Sequence, residues 1–443
     1  MMSIAALVAP TASATVTDIL TRLRDLAVGH GDRPAVIDAH RTITYAELWQ
    51  AGHAARAGHR VGGRFVVPVA AHPSAATVVA ALGVWLSGGI PMPVPAGTRM
   101  TLLEPLLRQT DEIGHWCQPW RAHLHTEPGG RQITVAGGLP PTSSPVSAAL
   151  GLIIGGTALL CAPLYAGPVF DTAVRQLLLG GTVVLRPEFS PQDWLDTVVR
   201  TGADWAILAA GQVMALIQQQ GDLTGGLEVA TGTVRRIVLP AAVPAINVGY
   251  LAALTAHTGA AVSTWYHAPV YDGALSTPGG RVPAMLTPLP GVLLRTVDPA
   301  SRPTPPGVAG LIEASSSSGA TAHRADQPCT PAGQWRTSGD IGTIDGNGRL
   351  TLRRLDRARH YRAGSADTAK VSVAALQQTL NAHRGVASHT VHVVPDADGE
   401  PRAHIRACTS TASLTTAALA QHCTAHGTPC PAEHITITSS GAP

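Results

Sequence analysis

Side chains equipped for chemistry are few in this 443-residue chain, and each stands beside a plainer use of the same residue. His267, next to Tyr266, offers an imidazole able to act as a general base near neutral pH, or simply one packed or solvated histidine among nineteen. Cys161, just ahead of Pro163-Leu164-Tyr165, offers a nucleophilic thiol, although a free cysteine is more often a small buried apolar residue. Asp340 offers a carboxylate in the turn Ser338-Gly339-Asp340, where aspartate is also favoured for bonding its own backbone.

The elements that must position these groups read as alternating helices and strands. Thr15 to His30 is an amphipathic helix with Ile19, Leu20, Leu23 and Leu26 on one face. Two strands follow across a turn, and Thr44 with Glu47 three residues later forms a capping box that opens the next helix. A strand over Arg64 to Val69 and a helix over Ala75 to Leu86 continue the alternation. Further along, Ser190 is a helix N-cap with Pro191 at the first helical position, and Trp205 to Leu208 is a buried strand. Asp345-Gly346-Asn347-Gly348 carries the strongest short-range hairpin signal and joins the strand after Asp340 to one over Leu350 to Leu352. Beyond it, a helix from Val371 to His383, strands over Ser388 to Val394 and Ala403 to Cys408, a helix from Leu414 to His426 and a strand over His434 to Thr438 make a small α/β unit.

Composition narrows the function classes. With 45% hydrophobic residues the chain buries a large core and divides into more than one domain. Only 13% of residues are charged and the net charge is +3, so neither a nucleic-acid footprint nor an acidic tail is present. Six cysteines without a C-x-x-C pair argue against a zinc site and for reduced thiols in the cytoplasm; no metal site is expected. Ile4 to Val8 lacks the basic flank of a cleaved signal peptide. The uncharged span Ala148 to Phe170 is long enough to cross a bilayer, but Gly155-Gly156, Pro163 and Pro168 make it buried strands and turns, so no membrane partner is expected.

The order of these parts resembles the adenylate-forming superfamily, which includes acyl-CoA synthetases, nonribosomal adenylation domains and luciferases. Gly31-Asp32-Arg33-Pro34-Ala35-Val36 and Thr44-Tyr45-Ala46-Glu47-Leu48 match its opening, Ala162-Pro163-Leu164-Tyr165 its middle, and Ser338-Gly339-Asp340 with Asp345-Gly346-Asn347-Gly348 and Arg354-Leu355-Asp356 its ribose motif and hinge. The resemblance covers roughly residues 15 to 440. It implies an α/β fold with a large N-terminal domain of mixed sheets flanked by helices, residues 1–354, and a small C-terminal α/β domain across a hinge, residues 357–443. It assigns Asp340 to ribose hydroxyls, where the turn chemistry of aspartate alone would have it cap the hairpin, and Tyr165 and Arg354 to the ligand pocket. Asp356, with Arg354, sets the hinge. Arg359 and Arg362, in a loop after the hinge, would meet the phosphates of coenzyme A or a pantetheine arm.

Departures from the family pattern fall on nucleotide handling. The family's Ser/Thr/Gly loop with a lysine wraps the triphosphate; here Ala136 to Pro145 holds no lysine, and several tens of residues are missing near 136–150. Ser315 to Thr321 imitates that loop in the wrong place and reads as a flexible surface loop. Where the family writes Tyr-Gly-x-Ser/Thr-Glu, with glutamate on Mg²⁺, this chain has Tyr266-His267-Ala268-Pro269-Val270. The family's C-terminal lysine has no counterpart before Pro443, and the one lysine, Lys370, lies too early. Three of four nucleotide-handling features are thus lost, so ATP and Mg²⁺ are not expected, while coenzyme A or a phosphopantetheine thioester is the candidate cofactor. The expected partner is a small acyl substrate or an acyl carrier protein. The first functional expectation is acyl transfer, cyclisation or condensation without adenylation, with Tyr266, His267 and Cys161 as candidates; a non-catalytic homologue and an ATP-dependent ligase are the alternatives.

Overall fold

A computed structural model describes residues 16–439, apart from 58–65, 95–97, 99–118, 128–129, 138–144, 166, 187–188, 209, 219–232, 241–253, 257, 269–270, 277–284, 299, 317–333, 355–359, 363–369, 373–375, 377–378, 381–382, 384, 396–400, 410–413 and 427. Its centre is a mixed sheet of thirteen strands. Six consecutive members run parallel: Ala261–Ala268, Arg236–Pro240, Trp205–Ile207, Thr157–Leu160, Thr182–Leu185 and Pro34–Ile37. Strands of this kind carry helices on both faces and read as continuous apolar runs. Thr182–Leu185 and Trp205–Ile207 are buried at every position.

Two apolar cores clothe the opposite faces. One contains Phe170, Ala173 and Leu177 of helix Gly167–Leu178 together with Leu23, Leu48 and Leu82 from three earlier helices. The other contains Trp194, Leu195 and Val198 of helix Pro191–Thr201 and Val213 and Leu216 of helix Ala210–Gln218. Past Ala261–Ala268 the sheet becomes an antiparallel meander, in the order Tyr271–Ser276, Met285–Pro288, Leu350–Arg354, Arg336–Ile344, Gly310–Ser316 and Val292–Val297. A third core, of Leu376, Leu380, Ile405, Leu419 and Cys423 among others, belongs to a three-stranded sheet, Val386–Pro395, Pro401–Thr409 and Ile435–Ser439, and helix Thr416–Ala425.

Local signals act where they were read. Thr44 N–H donates to Glu47 Oε2 at 2.7 Å while Glu47 N–H donates to Thr44 Oγ1 at 3.2 Å, a reciprocal cap on helix Tyr45–Ala57. Ser190 Oγ accepts from Asp193 N–H at 3.1 Å at the start of helix Pro191–Thr201, which Gly202 ends at φ 62°. The span from Ala148 to Phe170 resolves into a helix end, a strand, turns and a helix start, and among the described residues no helix is long and apolar enough to cross a membrane.

Three local expectations are corrected. Val371 does not open a helix: Lys370–Ser372 pairs antiparallel with His360–Arg362, and helical residues are described only from Leu376. The β-branched Val371 sits opposite Tyr361, so pairing outweighs the weak helical period of this stretch. By the same pairing, part of the expected loop carrying Arg362 is strand. Ser315 and Ser316, read as part of a flexible loop, end the strand Gly310–Ser316, and Ser315 is buried. The stretch 138–144 and the hinge residue Asp356 lie outside the described residues, as does Arg359.

Candidate functional site

Asp340 owes its position to two irregularities in its strand. Leu311 pairs with Ile341 and Glu313 with Thr337, so the three residues Ser338 to Asp340 bulge opposite the single residue Ile312. On the other side Ile341 faces Arg354 and Gly342 faces Leu352, an extra residue on the partner strand. Bulges of this kind re-aim a side chain. Ser338 Oγ fixes the bulge by accepting from Asp340 N–H at 3.1 Å and donating to the Ile312 carbonyl at 3.2 Å. Downstream, Asp345 accepts from the amides of Asn347 and Arg349 at 2.9 Å each, and Gly348 takes φ 75°, so the hairpin turn carries its own turn chemistry.

Asp340 instead turns inward. Tyr266, near the carboxyl end of the parallel strand Ala261–Ala268, donates its phenol to Asp340 Oδ2 at 2.6 Å, and both residues are 0% exposed. A neutral hydroxyl on a carboxylate is a charge-assisted bond, among the strongest a side chain makes. A third irregularity lies here: Tyr266 pairs with Ala274 and Ala268 with Tyr271, so the single residue His267 lies opposite the bulged pair Asp272 and Gly273 of the neighbouring strand. The backbone of His267 is thereby placed at the sheet's carboxyl edge, beside Tyr266.

The other sequence candidates occupy different stations. Cys161 follows strand Thr157–Leu160, three strands along from Tyr266 and about 14 Å away at ordinary strand spacing. It is 6% exposed and packed in the second core, and burial foremost, then Asp193, drives its thiol well above the usual range while Arg186 pulls the other way. Gln212 Nε2 donates to its carbonyl at 2.8 Å. Tyr165 is half-buried against the first core. Arg354 closes strand Leu350–Arg354 opposite Ile341, next to Asp340 in register, and Arg362 lies in the separate ladder with Lys370. Tyr266 and Asp340 are therefore brought together, and Cys161 is kept apart from them.

Topology marks a crevice that the residues alone did not. Strands Thr157–Leu160 and Trp205–Ile207 are neighbours, yet the chain leaves the first for helix Gly167–Leu178 on one face and the second for helix Ala210–Gln218 on the other. In open α/β sheets such a switch point opens a ligand crevice at the carboxyl ends. Cys161 and Leu208 follow these two strands at their carboxyl ends. Arg186, the first residue after Thr182–Leu185, stands beside it; its only signal in the sequence is that it is the first charge after an apolar strand. Among the described residues no group of three or more His, Cys, Asp or Glu is disposed to hold a metal ion.

With this geometry established, comparison with solved structures places the architecture. The anthranilate CoA ligase AuaEII in complex with anthranoyl-AMP superposes with TM-score 0.66 at 17% identity, covering 96% of this chain and 93% of that one. This chain has the adenylate-forming fold. MatB from Rhodopseudomonas palustris gives TM-score 0.63 at 18% identity over 97% of this chain and 96% of that chain. An artificially fused adenylation–PCP di-domain, NpsA-ThdA from Klebsiella oxytoca, gives 0.64 at 15% identity over 96% and 94%. No family model and no curated protein matches the sequence.

Proposed function

We propose that this protein handles a carboxylic acid or acyl thioester on the adenylate-forming scaffold without activating it through ATP. The observation that carries this reading is the bond between Tyr266 and Asp340. By resemblance Asp340 is the ribose aspartate; its burial and the Tyr266 phenol on its Oδ2 support a structural use of the carboxylate in place of a nucleotide's hydroxyls. The sequence adds support: no lysine-bearing glycine loop stands near residues 136–150, and Val270 stands where an Mg²⁺-binding glutamate is expected. A ligand in the switch-point crevice keeps the acyl end of such chemistry, with coenzyme A or a carrier-borne pantetheine as the thioester and Arg359 and Arg362 as the residues for its phosphates. His267, at the strand end opposite the bulge, is the proposed base; the two-domain division at 354–357 and a cytoplasmic setting belong to the same proposal.

A second reading, a non-catalytic binder of a carrier protein, ligand or partner enzyme, is favoured by the burial of Cys161 and Tyr266, which leaves neither as a ready nucleophile or acid. One experiment separates the readings. The purified chain is given a panel of carboxylic acids with ATP and Mg²⁺, and separately acyl-CoA thioesters with acceptor thiols and amines. Turnover of a thioester without pyrophosphate release is the expected result. Thioester binding with no turnover would leave the binder, and ATP-driven pyrophosphate release would overturn both.

A further inference from the structure

At the mouth of the switch-point crevice one cation is left short of partners. Arg186 N–H donates to the Leu160 carbonyl at 3.1 Å, which ties the residue to the end of the strand that Cys161 follows. Its side chain is 15% exposed, and its Nε is buried with no hydrogen-bond partner among the described residues. Its ion-pair partner among the described residues, Asp193 Oδ1, is 3.9 Å from a terminal nitrogen, beyond hydrogen-bond length. A guanidinium presents five N–H donors in a planar fork, and a desolvated donor left unpaired costs free energy. A ligand oxyanion at the fork would recover that cost with charge-assisted bonds.

We infer that Arg186 anchors an anionic group, a carboxylate or a phosphate, of whatever occupies this crevice. The site stands on the geometry of Arg186; that the anion belongs to an acyl compound rests on the proposed function above. Asp193 is the competing carboxylate, and its removal frees the fork further.

The test is calorimetric titration of the full chain with benzoate, inorganic phosphate and a coenzyme A thioester, for the parent protein, Arg186→Ala, Arg186→Lys and Asp193→Asn. The expected result is that at least one anion binds the parent, weakens by about tenfold or more in Arg186→Ala, recovers in part in Arg186→Lys and tightens in Asp193→Asn. Undiminished binding in Arg186→Ala, or no anion bound by the parent, overturns the inference. Should Arg186→Ala unfold, Asp193→Asn decides, since unchanged affinity there also overturns it. Phosphate held through Arg186 with neither benzoate nor the thioester bound would keep this site and sink the acyl reading; thioester binding indifferent to Arg186 would do the reverse.

Discussion

A 2.6 Å bond from the Tyr266 phenol to Asp340, with both residues sealed from solvent, makes a strong claim about single residues. Tyr266→Phe removes the donor from a buried carboxylate and is expected to cost about 1.5–3 kcal/mol in urea unfolding. Tyr165→Phe, at a half-buried phenol, is the control and should cost under about 1 kcal/mol. Equal stability of the two variants would mean the bond is idle. Asp38 makes a second residue-scale case. Burial works to raise its pKa, but amides of Ala75, His40 and Arg41 outweigh it and hold the carboxyl below its ordinary value. A depressed acid contributes stability above its unfolded pKa and loses it as pH falls through the folded one, so the contribution of Asp38 disappears below about pH 4. Asp38→Asn should therefore narrow its stability gap from the parent as pH drops from 6 toward 3, and a gap constant over that range would contradict the assignment. The candidates Tyr266 and Asp340 were legible as residues, but not their contact: it depends on bulges that arise only when neighbouring strands pair.

Elements were most readable where a cap or a turn demands a particular residue. The Thr44 and Glu47 reciprocal bonds and the Ser190 cap follow from side chains whose oxygens reach orphan amides, so their spacing alone announces the helix. Thr44→Ala is expected to cost about 1 kcal/mol by thermal or chemical unfolding, and Gly202→Ala about 1–2 kcal/mol. At Gly202 an added Cβ meets nothing within 4 Å, so any loss there comes from the left-handed backbone at φ 62° and a neutral result would refute that cause. Val371 was unreadable for the opposite reason. A short apolar run fits either period, and its partner strand His360–Arg362 lies across a connection whose pairing no local signal declares. The crevice at the switch point was hidden likewise, because strand order is a property of the sheet and not of any strand.

Across the whole molecule the thirteen-stranded sheet takes residues from 34 to 354, while the residues beyond 370 build a core of their own. That core unit is rich in histidine. Desolvation first, then the neighbouring His422, lowers the pKa of His383, and burial lowers that of His389 to about 4. An imidazole whose folded pKa lies below the unfolded one binds fewer protons when folded, so stability is full above about pH 6.5 and falls as pH drops beneath it. The rings of His383 and His422 lie 4.6 Å apart, which places His422 to oppose the charging of His383. Melting at pH 5 should come earlier than at pH 7.5, and His389→Leu should reduce the difference; identical melting at both pH values would contradict it. The overall α/β architecture was legible because alternating apolar runs and caps recur along the chain, whereas chemistry depends on which atoms face one another.

The account turns on whether Asp340, held by Tyr266, is closed to a nucleotide. Calorimetric titration of the purified protein with ATP and Mg²⁺ tests this most directly. The expected result is no binding heat at concentrations where an acyl-CoA thioester binds. Saturable ATP binding at micromolar strength would contradict the account and restore an adenylating ligase.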